Sequence, residues 1–178
     1  MTALRLQVRY GTRDPARLPA EDEALGTSVF GMLAGALEHG LPRPAYLVLR
    51  EDQVDHVDAL PILRLPPEQG QRMLSAIAGQ PGVQCVALAS PLTLRTGPRT
   101  GGRALVVFLE WPDNRWWTAW QPLDEGNRLL GEEPATRAAA DGWPKPGGGG
   151  GWFAMARRLG LRLTVTAHEA DGSPAMVH

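Results

Sequence analysis

The chain has 178 residues, of which 43% are hydrophobic and 21% charged, and its formal net charge is −1. This composition predicts a single globular domain over residues 1–178 and excludes an intrinsically disordered chain. The balanced charge also argues against a nucleic-acid partner, because such partners attract strongly basic proteins. Since arginine supplies all basic residues except Lys145, and alanine, glycine and proline are abundant, we expect a GC-rich bacterial source.

The number of cysteines and the hydropathy of the sequence indicate in which cellular compartment the protein lies. Cys85 is the single cysteine, so an intramolecular disulfide and a thiolate zinc site are excluded. Its apolar neighbours in VQCVALA predict a buried, inert thiol. We find no signal-peptide core and no apolar run of membrane-spanning length, so we expect a cytoplasmic protein without a membrane partner.

The first eighty residues alternate predicted strands with two amphipathic helices. Residues 4–10 alternate apolar and polar side chains, which is typical of a half-buried strand. Helices are predicted over residues 21–40 and 66–79, because apolar side chains recur at helical spacing between acidic starts and glycine ends. Residues 45–49 and 54–63 are predicted as two strands, the second of which contains a proline that weakens its later half.

Residues 103–122, RALVVFLEWPDNRWWTAWQP, form the densest apolar block and hold four of the six tryptophans. Their β-branched and aromatic side chains predict two long strands. Pro112, Asp113 and Asn114 predict a three-residue turn between them, since proline presets φ and asparagine tolerates the left-handed conformation. The resulting hairpin has a register that places Leu109 opposite Trp117.

Both faces of this predicted hairpin are largely apolar, whereas a hairpin with one solvated face alternates apolar and polar residues. Two interpretations follow. Helices of the same chain bury both faces, or some of the indoles form a docking surface for another protein, since tryptophan is enriched at binding hot spots. The residues predicted to form that docking surface are Trp111, Arg115, Trp116 and Trp120.

The last third of the chain combines a loop-rich segment with one more helix and strand. Residues 123–151 are predicted as an insert with a flexible glycine run, in which residues 134–140 have the composition for two helical turns. A short helix over residues 152–159 and an alternating strand over residues 161–168 follow. The tail, residues 171–178, is predicted to fray.

These elements together predict an α+β domain with three helices packed on a mixed, mainly antiparallel sheet. Strands near residues 83–95, 103–111 and 115–121 are predicted to form an antiparallel meander, with the Trp-rich hairpin at its centre.

The glycine run leads directly into a predicted helix, so it qualifies as an anion site. Free amides at a helix N-terminus bind anions, and glycines let a phosphate approach closely. The candidate ligand-binding residues are Lys145, Gly149, Gly150 and Gly151. The spacing matches no phosphate-loop or dinucleotide motif, so a flexible surface loop explains the same residues.

Glu110 is a carboxylate inside a strongly apolar strand, where burial suits general acid–base catalysis. A partner arginine, or a position near the strand end reached by water, explains it as well. Asp113 and Arg115 are the nearest further candidates for a catalytic cleft.

His56 lies in the one cluster of histidine and acids, with Asp52, Asp55 and Asp58. On a strand, His56 and Asp58 share a face and could hold a metal or act in catalysis. A solvated strand edge, whose charges block pairing with other chains, explains the cluster equally well. We predict neither a metal nor a cofactor.

No catalytic motif is present, so the primary prediction is a non-catalytic bacterial protein that binds another protein. Its partner would be a different protein or a second copy of this chain, and it would act as an adaptor, an inhibitor or immunity-type protein, or a subunit of a small complex. The alternatives are an enzyme of unrecognised family with an acidic and histidine-containing cleft, or a binder of a small anionic ligand or nucleotide.

Overall fold

A computed structural model describes residues 8–12, 22–51, 53–96, 99–138 and 151–160. The described strands are β1 (Val8–Thr12), β2 (Ala45–Leu49), β3 (Gln53–Asp58), β4 (Cys85–Thr96), β5 (Arg99–Glu110), β6 (Trp116–Pro122) and β7 (Ala135–Ala138). They form one sheet in the order β1-β3-β2-β4-β5-β6-β7, and every described pairing is antiparallel.

The described helices are α1 (Asp22–Gly35), α2 (Leu60–Leu63), α3 (Pro67–Ala78) and α4 (Gly151–Leu159), and a 3-10 turn (Ala36–His39) continues α1. The predicted α+β single domain is therefore confirmed. The three predicted helices correspond to α1, α3 and α4. Within the described part of the chain, no helix has the length and apolarity needed to span a membrane.

The central hairpin has the register that the sequence predicts. Leu109 lies opposite Trp117, and the pairing continues along β5 and β6. In the turn, the Trp111 amide donates to the Arg115 carbonyl (3.0 Å) and the Asn114 amide to the Trp111 carbonyl (3.0 Å). Asn114 has φ 69°, the left-handed conformation that asparagine tolerates better than most residues.

Helix α1 covers one face of the hairpin. Gly26 of α1 lies directly against the Trp117 indole, where a Cβ atom would overlap the ring. This close approach lets the helix and the sheet bury a continuous core. Its main members are Leu25, Val29, Phe30, Leu33, Leu105, Val107, Leu109, Trp117 and Ala119.

Helices α2, α3 and α4 cover the opposite face of the sheet. Their core includes an aromatic cluster in which the Trp152 ring contacts Tyr46 edge-on at 5.2 Å and Phe108 edge-on at 5.4 Å, between ring centroids. Phe108 in turn stacks on Trp116, with centroids 5.9 Å apart. The other main members of this core are Val48, Val57, Ile62, Leu74, Ile77, Val86 and Phe153.

The strand predicted over residues 54–63 is shorter than expected. β3 ends at Asp58, and Leu60–Leu63 form α2 instead. The Asp58 side chain accepts a hydrogen bond from the Leu60 amide (3.1 Å), which supports the first turn of α2. Pro61 fits this turn because its missing amide hydrogen has no partner there in any case.

The helical turns predicted over residues 134–140 are wrong where the structure describes that segment. Ala135–Ala138 form β7, which pairs with β6 so that Trp120 lies opposite Ala135. Pairing with an available sheet edge outweighs the helix propensity of alanine. The rest of the insert up to residue 150, the strand predicted over residues 161–168 and the tail lie outside the described residues, as do residues 1–7.

Candidate functional site

The Glu110 carboxylate is fully buried at the end of β5 and caps the N-terminus of α4. One oxygen, Oε2, accepts a hydrogen bond from the Trp152 amide (3.0 Å), and Oε1 accepts one from the Phe153 amide (3.1 Å). The first amides of a helix have no partner within the helix and carry the positive end of its dipole. Glu110 therefore satisfies two of them with a full negative charge.

Gly151 makes room for this contact. Its φ is 79°, which disfavours any side chain, and a Cβ atom placed there would overlap the Glu110 carboxylate. The helix N-terminus that the sequence indicated as an anion site thus has the protein's own carboxylate bonded to it. The other predicted ligand-binding residues of this site, Lys145, Gly149 and Gly150, lie outside the described residues.

The Trp152 side chain fixes the first turn of α4 against α3 and the sheet. Its indole Nε1–H donates to the Gln71 Oε1 atom (2.8 Å). Tyr46, whose ring it contacts, donates its hydroxyl to the Leu74 carbonyl (3.3 Å). Burial, and secondly the negative charge of Glu110, raise the pKa of Tyr46 well above its usual value, so the phenol stays neutral.

Arg157 fastens the other end of α4 to the hairpin turn. Its Nη1 atom donates to the Pro112 carbonyl (2.8 Å) and its Nη2 atom to the Asn114 Oδ1 atom (3.5 Å). Helix α4 is therefore held to the same hairpin at both ends, by Glu110 at its start and by Arg157 near its last turn.

A groove of about 350 Å³ lies between α3, α4 and this turn. We call it the α3–α4 groove. Its apolar floor includes the buried side chains of Val83, Phe153 and Ala156. The residues that line it are Ala78, Gly79, Gln80, Val83, Pro112, Phe153, Ala156, Arg157 and Gly160.

The described lining of the groove is mainly apolar. Arg157 is the one titratable side chain among the described lining residues, which include no carboxylate, imidazole, hydroxyl or thiol. Gln80 is held at the rim, because its Oε1 atom accepts a hydrogen bond from Arg50 Nη2 (2.7 Å), and Arg50 also pairs with Asp55. The described lining therefore offers apolar contact and one positive charge, and no general acid or base.

The predicted docking indoles mostly lie inside the protein. Trp111 and Trp116 are only 7% and 4% exposed, whereas Trp120 is half-buried on β6. Arg115 is exposed at the turn, where its guanidinium lies 5.3 Å from the centre of the Trp111 ring.

Arg115 also joins the hairpin turn to the start of α1. It forms ion pairs with Asp113 (2.7 Å) and with Asp22. The hydrogen bond from Arg115 is the main cause that lowers the pKa of Asp113. Both side chains are therefore engaged with each other at the surface.

His56 and Glu110 lie on opposite faces of the sheet. The pairing of β3, β2, β4 and β5 puts His56 on the face of Leu109, and the next residue, Glu110, points the other way. They therefore cannot act together in one cleft. Within the part of the chain that the structure describes, no group of three or more histidine, cysteine, aspartate or glutamate residues is placed to hold a metal ion.

The remaining members of the histidine cluster serve separate contacts. Asp55 pairs with Arg50 on the face opposite His56, and Asp58 pairs with Arg43 (2.7 Å). Asp52 lies outside the described residues.

The sequence did not predict the α3–α4 groove or the role of Arg157. An arginine in the last turn of a helix is common because it complements the helix dipole, so nothing in the pattern singles it out. No protein-family model, curated protein or solved structure matches this chain.

Proposed function

We propose that this chain is a non-catalytic bacterial protein of the cytoplasm that binds another protein through the α3–α4 groove. The observation that carries this proposal is the groove itself, with its apolar floor, its polar rim and a volume of about 350 Å³. This volume is near the lower end for ligand sites, and suits one or two residues of a partner chain.

The walls of the groove are preformed, which favours binding. Glu110 and Arg157 hold α4 at its two ends, and the Trp152 indole locks its first turn against Gln71. A surface that is already ordered loses little conformational entropy when a partner docks. An ordered groove wall of this kind is what we expect of a rigid docking site.

Two features favour the groove over the alternatives. The indoles of Trp111 and Trp116 are buried in the cores, so the hairpin contributes its turn, through Pro112, as one wall of the groove. The candidate catalytic carboxylate of Glu110 is bonded to two backbone amides and does not line the groove. Both features support binding as the function.

The proposal is tested by site-specific photo-crosslinking in living cells of the source organism. The photoreactive residue p-benzoylphenylalanine replaces Gln80 at the groove rim, and in a parallel strain it replaces the exposed Glu133. We expect a discrete crosslinked partner from position 80 and none from position 133. Equal products from both positions, or none from position 80, would contradict docking in the groove.

Two substitutions of alanine residues on α4 test whether the crosslink depends on the groove. Ala156→Met fills the floor, whereas Ala154→Met adds the same atoms on the same helix outside the lining. The crosslink should disappear in Ala156→Met and persist in Ala154→Met. Both variants should unfold at the same midpoint as the wild type. Should Ala156→Met prove unstable, Ala156→Ser alters the polarity of the floor with little change in volume, and should weaken the crosslink.

A further inference from the structure

The charge of Arg157 distinguishes it from several other arginines in the described chain. Arg43, Arg50, Arg115 and Arg128 each lie within 4 Å of a carboxylate oxygen. Arg157 forms no ion pair with any described carboxylate, and its guanidinium donates hydrogen bonds to the neutral oxygens of Pro112 and Asn114. Among the described residues, no carboxylate therefore pairs with the positive charge of Arg157 at the groove rim.

The ends of α3 and α4, which also approach the groove, carry only partial negative charge. Their last carbonyls are partly satisfied, because Gly79 donates to Ser75, Gln80 to Ile77 and Gly160 to Arg157. The guanidinium of Arg157 is thus the strongest single charge in the described lining. It lies beside the apolar floor formed by Phe153 and Ala156.

From this juxtaposition we infer that the α3–α4 groove binds the C-terminal residue of a partner protein, with its carboxylate on Arg157 and an apolar side chain on the floor. This inference rests on the proposed function. About 350 Å³ leaves room for little more than one large residue. A C-terminal residue carries a carboxylate and an apolar side chain on one Cα atom, so it satisfies both features in the least space.

The test uses arrays of short peptides of random sequence, attached through their N-termini and ending either in a carboxylate or in an amide. We expect wild-type protein to bind carboxylate peptides with a large apolar last residue, and to prefer them over the matching amides by roughly tenfold or more in Kd. Arg157→Gln should abolish this preference. Arg158→Gln removes the same charge one position along α4, outside the groove lining, and should leave the preference intact.

The outcomes separate this inference from the proposed function. Equal binding of acids and amides that Ala156→Met abolishes would overturn the carboxylate assignment and keep the groove as a docking site. Recognition of aspartate or glutamate side chains within the peptides, in place of the C-terminal carboxylate, would have the same consequence. Binding that Ala156→Met leaves unchanged, or no binding to either array, would overturn both.

Discussion

The contact between Glu110 and the start of α4 gives the sharpest prediction about stability. Glu110→Gln keeps the size and shape of the side chain and removes its charge. The glutamine oxygen can accept one of the two amide hydrogens of Trp152 and Phe153, but its NH2 group faces the other one. One buried donor is therefore left without an acceptor.

The magnitude follows from these two hydrogen bonds. An unsatisfied buried donor costs about 1–3 kcal/mol. The bond that remains changes from charge-assisted to neutral, which costs about 1 kcal/mol more. We therefore expect Glu110→Gln to lower the free energy of unfolding by about 2–4 kcal/mol, and the relief of burying one charge less favours the lower end of this range.

Urea denaturation followed by tryptophan fluorescence measures this loss, and hydrogen exchange of the Trp152 and Phe153 amides locates it. The exchange of both amides should accelerate more than that of amides in β5. Asp113→Asn removes an exposed carboxylate from the same hairpin, where solvent screens its ion pair with Arg115, and should lower the midpoint far less. A Glu110→Gln protein as stable as wild type, with protected amides in α4, would refute the capping role of Glu110.

Three further predictions concern buried groups in α4, α3 and the sheet. Gly151→Ala should lower the denaturation midpoint of the protein at least as much as Glu110→Gln, because the new Cβ atom displaces the Glu110 carboxylate. The double variant should lower the midpoint by less than the sum of the two single variants, since both disturb the same contact. Ser75→Ala should stabilise by about 1 kcal/mol, since the buried hydroxyl has no described partner; a loss of stability would contradict this. Tyr46 has a raised pKa when folded, so its contribution is complete below the ordinary value of about 10 and is lost as pH rises above it. As the pH rises above about 10, the stability of the wild type should therefore fall more than that of Tyr46→Phe; parallel curves would contradict the raised pKa.

Local chemistry made much of the fold predictable from sequence. The register of the hairpin follows from the Pro112-Asp113-Asn114 turn, and Asn114 indeed adopts a left-handed φ of 69°. The helices that end at glycine were predictable for the same reason. Segment 135–138 was not, because its structure depends on the neighbouring edge of β6, which the alanines do not encode.

The two halves of the buried site were visible in the sequence, but their pairing was not. In the sequence, Glu110 stood out as a carboxylate inside an apolar strand, and Gly151 preceded a predicted helix whose first amides favour an anion. The two are electrostatically complementary, since a buried carboxylate stabilises the positive N-terminus of a helix. Forty-two positions separate Glu110 from Trp152, so only the fold brings them together.

The groove was beyond sequence reasoning for a different reason. Its lining comes from α3, the segment after it, the hairpin turn and α4, which are far apart along the chain. Each contributes ordinary residues, such as Ala78, Val83, Pro112 and Ala156, that would serve equally well in any surface. Only their packing creates a concave site.

The measurement that tests the central claim most directly is a backbone NMR titration of the isotope-labelled protein with the crosslinked partner or its C-terminal peptide. Docking in the α3–α4 groove predicts that the amide signals shifting first and furthest belong to Gly79, Gln80, Ala156, Arg157 and Gly160. Shifts centred instead on Trp120 and Val106, with the groove amides unmoved, would contradict the groove and assign binding to the sheet surface of the hairpin.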